Sequence, residues 1–310
     1  MAYNETSNLL NSPWRYYLMK KFRLNTFLYI AIFLCVVLIA CSNESDSVGK
    51  EKPDEENETN ESANAQDKDE PKENDDQDQS EEGKEEELEN QEPEYYISEE
   101  TATVLPLDDA NENIVLLTID DVPDANAVKM AHTLKDLGVG AIFFVNGHFI
   151  NDDDGAEKLK EIHDMGFLIG NHTNTHPVLP ELSKEEQTDE IVSVSNRVEE
   201  IIGERPKFFR APHGMNSDHS KAIAKEENMT IMNWTYGYDY FEAYTEPKAL
   251  AEAMITGEGP EAGVDYSLLK PGANLLMHDR DWTNEALKDI VEGLQNQGYE
   301  IVDPHLIETS

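Results

Sequence analysis

From residue 113 onward, short apolar runs alternate with amphipathic stretches, and most of the runs end on a polar cluster. Runs this short, flanked by Gly or polar residues, read as strands buried on both faces. Their alternation with helical patterns predicts a parallel sheet wrapped by helices. Ile114-Val115-Leu116-Leu117-Thr118-Ile119 leads to Asp120-Asp121, and Gly166-Phe167-Leu168-Ile169-Gly170 leads to Asn171-His172-Thr173-Asn174-Thr175-His176-Pro177. Phe208-Phe209 precedes Arg210-Ala211-Pro212-His213-Gly214, residues 230–233 precede a segment ending in Asp239-Tyr240, and Leu275-Leu276-Met277 precedes His278-Asp279. Residues 140–146 and 299–302 read as further strands. Helices are predicted over residues 124–137, 156–165, 183–202 and 283–297; the third opens on a capping box, Ser183 with Glu186, and stops at Gly203. Barrels and doubly wound sheets carry their chemistry at the C-terminal ends of parallel strands, so five polar clusters are expected on one rim.

The residue types on that rim suggest a metal. Carboxylate and imidazole are donors for catalytic zinc, and three protein ligands leave a fourth position for water. Taken singly, an Asp-Asp pair after a strand is more often a helix cap or turn, and a His-x3-His pair also occurs on surface helices. Arg210 alone would pair on the surface, and His278 alone would be a core histidine. Their ordered combination points to metal-assisted hydrolysis.

With these motifs in hand, the chain resembles the polysaccharide deacetylases, the NodB-homology domain of carbohydrate esterase family four, over about residues 112–308. Thr118-Ile119-Asp120-Asp121-Val122-Pro123 stands at the first motif of that family, His172 to Pro177 at the second and Arg210 to Gly214 at the third. Asp239-Tyr240 falls at the fourth and Leu276-Met277-His278 at the fifth. The resemblance implies an α/β fold, a distorted (β/α) barrel of about seven strands. It implies that Asp121, His172 and His176 hold a divalent metal, Zn²⁺ or another such as Co²⁺. It also implies Asp120 as general base, His278 as general acid, Asp239 as the partner of His278 and Arg210 as the partner of Asp120. The backbone N–H of His213 would face an oxyanion, and Pro212, Tyr240 and Leu276 belong to the substrate pocket. The implied reaction removes N-acetyl groups from an amino-sugar polymer, peptidoglycan first, and releases acetate. Alternatives are a chitin-type or other surface polysaccharide, hydrolysis of an O-acetyl ester or a different amide, or a catalytically weakened wall-binding protein.

Several positions depart from the family pattern. Val122 replaces a glycine beside the two carboxylates, Gly237 stands where some members have Asp, Tyr240 replaces a common Trp, and His213 replaces a usual aromatic. His132, His163, His219 and His305 match no motif and read as structural or solvated; His148, in Asn146-Gly147-His148, follows a strand in a place that could approach the rim and is read as outside the site.

The N-terminal third reads differently. Lys20, Lys21 and Arg23 precede an apolar run over residues 27–40, too short for a comfortable span, which closes on Leu38-Ile39-Ala40-Cys41. That ending resembles a bacterial lipobox, which makes residues 1–40 a signal peptide, with a start at Met19 an option, and Cys41 the lipidated first residue. Residues 42–100 hold 25 Asp+Glu against 5 Lys and almost no aliphatic side chains, so residues 41–100 are expected to be a disordered acidic tether. Residues 101–310 form the predicted catalytic domain, without a cysteine and hence without a disulfide or thiolate zinc site. A formal net charge of −41 argues against nucleic acid as a partner. The expected location is the outer face of the cell membrane, anchored by lipid, within the wall of a Gram-positive-like bacterium.

Overall fold

The computed structural model describes residues 92–310. The expected signal peptide, Cys41 and the tether up to residue 91 lie outside the described residues. The sheet contains β3 (Ile114–Val122), β4 (Ile142–Val145), β5 (Leu168–Asn171), β6 (Phe208–Phe209), β7 (Thr230–Ile231), β8 (Ala273–His278) and β9 (Glu300–Ile301). Its order is β7-β6-β5-β4-β3-β8, with β9 joined to the start of β3, and every pairing is parallel. Beyond β7 the chain makes a parallel bridge from Tyr236 to Leu275 of β8, so the two ends of the sheet order approach each other. That curled seven-stranded sheet is the distorted barrel expected from the sequence.

Side-chain alternation explains how the barrel is filled. In β3, Val115, Leu117 and Ile119 pack in the larger core cluster, which also holds the helix residues Ala131, Leu134, Ile290 and Leu294. Ile114 and Leu116 point the other way and pack with Ile142, Phe144, Phe208 and Met232. A strand needs apolar residues on both faces to satisfy this arrangement, hence the unbroken run. The inward-facing register of β3 continues through Thr118 to Asp120, so one column turns from apolar to polar as it rises.

The helices are α1 (Ala127–Leu137), α2 (Asp153–Asp164), α3 (Lys184–Ile202), α4 (Asp218–Glu226), α5 (Pro247–Thr256) and α6 (Asp281–Asn296). The capping box is present at α3, whose Ser183 side chain accepts from the Glu186 N–H, and Gly203 ends the helix in the left-handed region at φ 86°. α2 starts three residues earlier than its sequence pattern suggests, because Asp152 caps it by accepting from the Gly155 N–H. α1 starts three residues later, at Ala127, for a reason that lies on another strand and is described below. No helix among the described residues is long and apolar enough to cross a membrane.

One boundary differs from the sequence expectation. β1 (Tyr95–Ile97) pairs antiparallel with β2 (Val104–Pro106), and Tyr95 also bridges to Ile307. Tyr95 and Ile97 are buried in the barrel-side cluster, so the folded part includes residues that the sequence reading assigned to the tether. Two apolar side chains in an otherwise acidic stretch suffice to add a short hairpin once there is a core to receive them.

Candidate metal and catalytic site

The polar clusters do meet on one rim. β3 and β8 are in register, with Asp120 opposite His278, so these two residues sit on neighbouring strands at the same height. Asp121 follows with a left-handed backbone, φ 61°, and carboxyl oxygens of both Asp120 and Asp121 lie within 3.8 Å of His172 Nε2. Thr173, His176 and His213 also have positive φ, at 69°, 59° and 58°. Four site residues in a region that L-amino acids seldom occupy is a cluster of strain of the sort that functional sites retain. Val122, by contrast, has no positive φ and is fully buried against its β4 partner Val145, so the branched side chain meets no backbone demand for glycine.

Asp121, His172 and His176 each bring one donor atom within 4.8 Å of the others. Asp121 Oδ1 lies 3.8 Å from His172 Nε2 and 3.6 Å from His176 Nε2. A tetrahedral ion with ligands at ~2.1 Å separates its donors by about 3.4 Å, so these spacings fit a zinc-sized cation. The chemistry of the donors fits as well. His172 Nδ1 is 2.7 Å from the Arg210 carbonyl oxygen, which fixes the proton on Nδ1 and leaves the Nε2 lone pair facing Asp121. Burial, with His176 adding to it, pushes the His172 imidazole down to about 3, which keeps it neutral.

Asp120 stands beside this cluster. Its Oδ1 accepts from Arg210 Nη1 at 2.6 Å, while its Oδ2 is 3.5 Å from His172 Nε2. Burial raises the carboxyl above its ordinary range, opposed by the charges of Arg210 and His278. Arg210 is itself wholly buried, and its guanidinium makes four further contacts that fix it. It donates to the carbonyls of Met232 (3.1 Å) and Asn233 (3.1 Å) and to Thr118 Oγ1 (2.8 Å), and it lies 4.2 Å from the Phe144 ring centroid. A buried ion pair of this kind adds little net stability, but losing one partner strands the other charge.

His278 pairs with Asp239 as expected, Nδ1 to Oδ1 at 2.8 Å. The other carboxylate oxygen of Asp239 accepts from the His278 N–H at 2.6 Å and from Thr283 Oγ1 at 2.8 Å. Burial alone would lower the His278 imidazole, but the Asp239 charge and hydrogen bond, with Asp120 and Asp121 behind them, hold it up at about 9. Tyr240 stands edge-on to the His278 ring with centroids 5.7 Å apart, and the His213 ring is 4.8 Å from that of His176. Leu276, two residues before His278 on β8, is buried; Pro212 is buried at the start of a short 3-10 turn over Pro212–Gly214. A Cβ at Gly237 would overlap the Leu276 carbonyl, so the glycine found at this position is a packing requirement here.

Several contributors escaped the sequence reading. Asp279 accepts from the backbone N–H groups of Asp124 (2.8 Å), Asn126 (2.7 Å) and Ala127 (2.9 Å), capping α1 from across the sheet. Arg280 donates to Asp121 Oδ2 at 3.2 Å. Asn146 donates to the carbonyls of His172 (2.7 Å) and Thr173 (3.2 Å) and so ties down the histidine loop. The HD dipeptide after a strand was a visible signal for Asp279; nothing local marks the other two. The motif-free histidines pair elsewhere: His132 with Glu161, His163 with Glu204, His305 with Asp303 and His219 with Thr188. His148, also set aside, contacts the histidine loop through its Nδ1, 2.8 Å from the Asn174 oxygen, without joining the donor cluster.

Comparison with known proteins identifies the family. A family model described as polysaccharide deacetylase matches residues 108–232. A peptidoglycan-N-acetylglucosamine deacetylase of Bacillus cereus is 33% identical over 207 residues, covering 64% of this chain and 70% of that protein. The Bacillus subtilis peptidoglycan-N-acetylmuramic acid deacetylase PdaA is 28% identical over 198 residues, covering 62% and 70%. Among solved structures, a CE4 family pseudoenzyme from Bacillus anthracis superposes with a TM-score of 0.54 at 27% identity, covering 62% of this chain and 63% of that one. This chain is therefore a member of the polysaccharide deacetylase family.

Proposed function

We propose that this protein is a metal-dependent hydrolase that removes N-acetyl groups from amino-sugar residues of cell-wall peptidoglycan and releases acetate. The observation that carries the reading is the convergence of Asp121, His172 and His176 beside a buried Asp120 and a His278 hydrogen-bonded to Asp239. The names of the Bacillus cereus and Bacillus subtilis relatives supply the substrate class.

Asp121, His172 and His176 would hold a divalent cation, Zn²⁺ by the nature of its donors, with Co²⁺ able to substitute. Such an ion supplies Lewis acidity toward the acetamide carbonyl and acidifies a water. Asp120 Oδ2, the oxygen not engaged by Arg210, takes the proton of the attacking water, and its raised basicity suits that task. The His213 backbone N–H would be the second donor to the oxygen on which negative charge develops, a role carried over from the family resemblance. His278 carries its transferable proton on Nε2, since Nδ1 is committed to Asp239, and delivers it to the departing amine. Leu276 and Tyr240 would line the pocket for the acetyl methyl group, with Pro212 beside the substrate.

Cys41 as a lipidated first residue, a tether after it and a catalytic domain beginning near residue 92 would hold this site outside the membrane and within the wall. A catalytically silent wall-binding role has one observation in its favour, the likeness to a pseudoenzyme, but the proposed base, acid and metal ligands are all present here. The test is to incubate the protein, with and without chelator, with wall fragments and with N-acetylglucosamine oligomers, and to assay acetate. Metal-dependent release from wall fragments is the expected result; no release from either substrate would refute the enzymatic reading, and release from the oligomers alone would move the substrate to chitin-type glycans.

A further inference from the structure

The two oxygens of Asp121 face different partners. Oδ1 looks toward both imidazoles, at 3.6 and 3.8 Å, while Oδ2 is turned onto the Arg280 guanidinium at 3.2 Å. We propose that Arg280 is a positioning residue that holds Asp121 as a one-oxygen ligand, a role that rests on the metal reading above. Without a partner on Oδ2, a carboxylate can rotate about its Cβ–Cγ bond and either chelate through both oxygens or swing away. The guanidinium removes that freedom by giving Oδ2 a charge-assisted hydrogen bond of its own.

The backbone around Arg280 is built to hold it there. Arg280 is the second of the two residues between β8 and α6, in extended conformation, φ −130° and ψ 151°, and its neighbours on both sides grip the segment that follows Asp121. Asp279 accepts the three N–H groups of Asp124, Asn126 and Ala127, and Asp281 Oδ1 accepts from Asn126 Nδ2 at 3.0 Å. The two carboxylates flanking Arg280 thus lock its Cα to the loop leaving β3, so the distance from Arg280 to Asp121 is set by five backbone and side-chain anchors rather than by a free surface side chain. These are the four bonds just named and the Asp279 N–H bond to the Asp120 carbonyl at 3.1 Å. An ordinary rim ion pair has no such scaffolding.

The experiment measures zinc affinity and not turnover. The full chain, stripped with chelator, is titrated with Zn²⁺ against a chromophoric competitor, alongside R280M, R280Q and H176A, with metal-free melting temperatures recorded for each. The expected result is a loss of affinity on the order of 10- to 100-fold in R280M and R280Q, at unchanged metal-free melting temperature, the range typical of residues that orient a ligand from behind. Arg280 is part-exposed, so neither substitution burdens the core. Affinity equal to or tighter than that of the unaltered protein would overturn the proposal. So would a loss matched by a fall in metal-free melting temperature, which would assign Arg280 to the fold. Failure of the unaltered protein to bind zinc, or unaltered binding by H176A, would instead refute the metal reading itself.

Discussion

Replacing Asp239 with Asn tests the protonation of His278 through stability alone. The imidazole rises from an ordinary 6.5 to about 9 in the folded protein, chiefly because the Asp239 charge overcomes the penalty of burial. At ~1.4 kcal/mol per pH unit, that gap makes the charged pair worth roughly 3 kcal/mol. Because the folded value is the higher one, this contribution is complete below pH 6.5, shrinks as pH rises toward 9, and is gone above it. Asn can still accept the His278 N–H and the Thr283 hydroxyl bond, so the substitution removes the charge and little of the shape. For a folded part of this size, roughly 3 kcal/mol corresponds to about 6–12 °C in melting temperature. Chelator-treated unaltered protein and D239N should therefore differ by about that much at pH 6, and the difference should close by pH 10. Measuring the difference between two variants cancels the other histidines, which titrate in both. A gap that stays constant from pH 6 to pH 10 would show that His278 is neutral in the folded protein and would remove the basis for its role as acid.

Substituting Asp120 with Asn should lower acetate release by about 10²- to 10⁴-fold, the usual worth of a general base, while zinc affinity measured by competition stays nearly unchanged. Substituting Gly237 with Ala drives a methyl into the Leu276 carbonyl and should cost about 1–3 kcal/mol in urea denaturation, with no change in zinc affinity. Removing the Ser183 hydroxyl in S183A deletes one half of the α3 capping box and should cost about 1 kcal/mol by the same assay, leaving activity intact.

The parts legible in the sequence were those that depend on neighbours along the chain. β3 could be read because both of its faces are buried, which forces an unbroken apolar run; α3 could be read because its cap, its period and its terminal glycine are all local. The candidate site residues could be read because each stands at the polar end of, or just after, a short apolar run. α4 and α5 went unassigned: both are short, and α5 has no side-chain cap at its start. The start of α1 was misjudged because its cap is Asp279, 152 residues away from Ala127. The same holds for Arg280 at Asp121, where 159 residues separate the partners. Positive φ at Asp121, Thr173, His176 and His213 has no sequence signal at all, since none is a glycine, and it comes from the tertiary structure overruling local preference.

The in-register pairing of β3 with β8 has a consequence for how such a site can work. Adjacent strands lie about 4.8 Å apart, so Asp120 and His278 are spaced by a ladder of main-chain hydrogen bonds that cannot stretch without breaking the barrel. The foundation under these two side chains is therefore laid down by the sheet itself, before any glycan arrives.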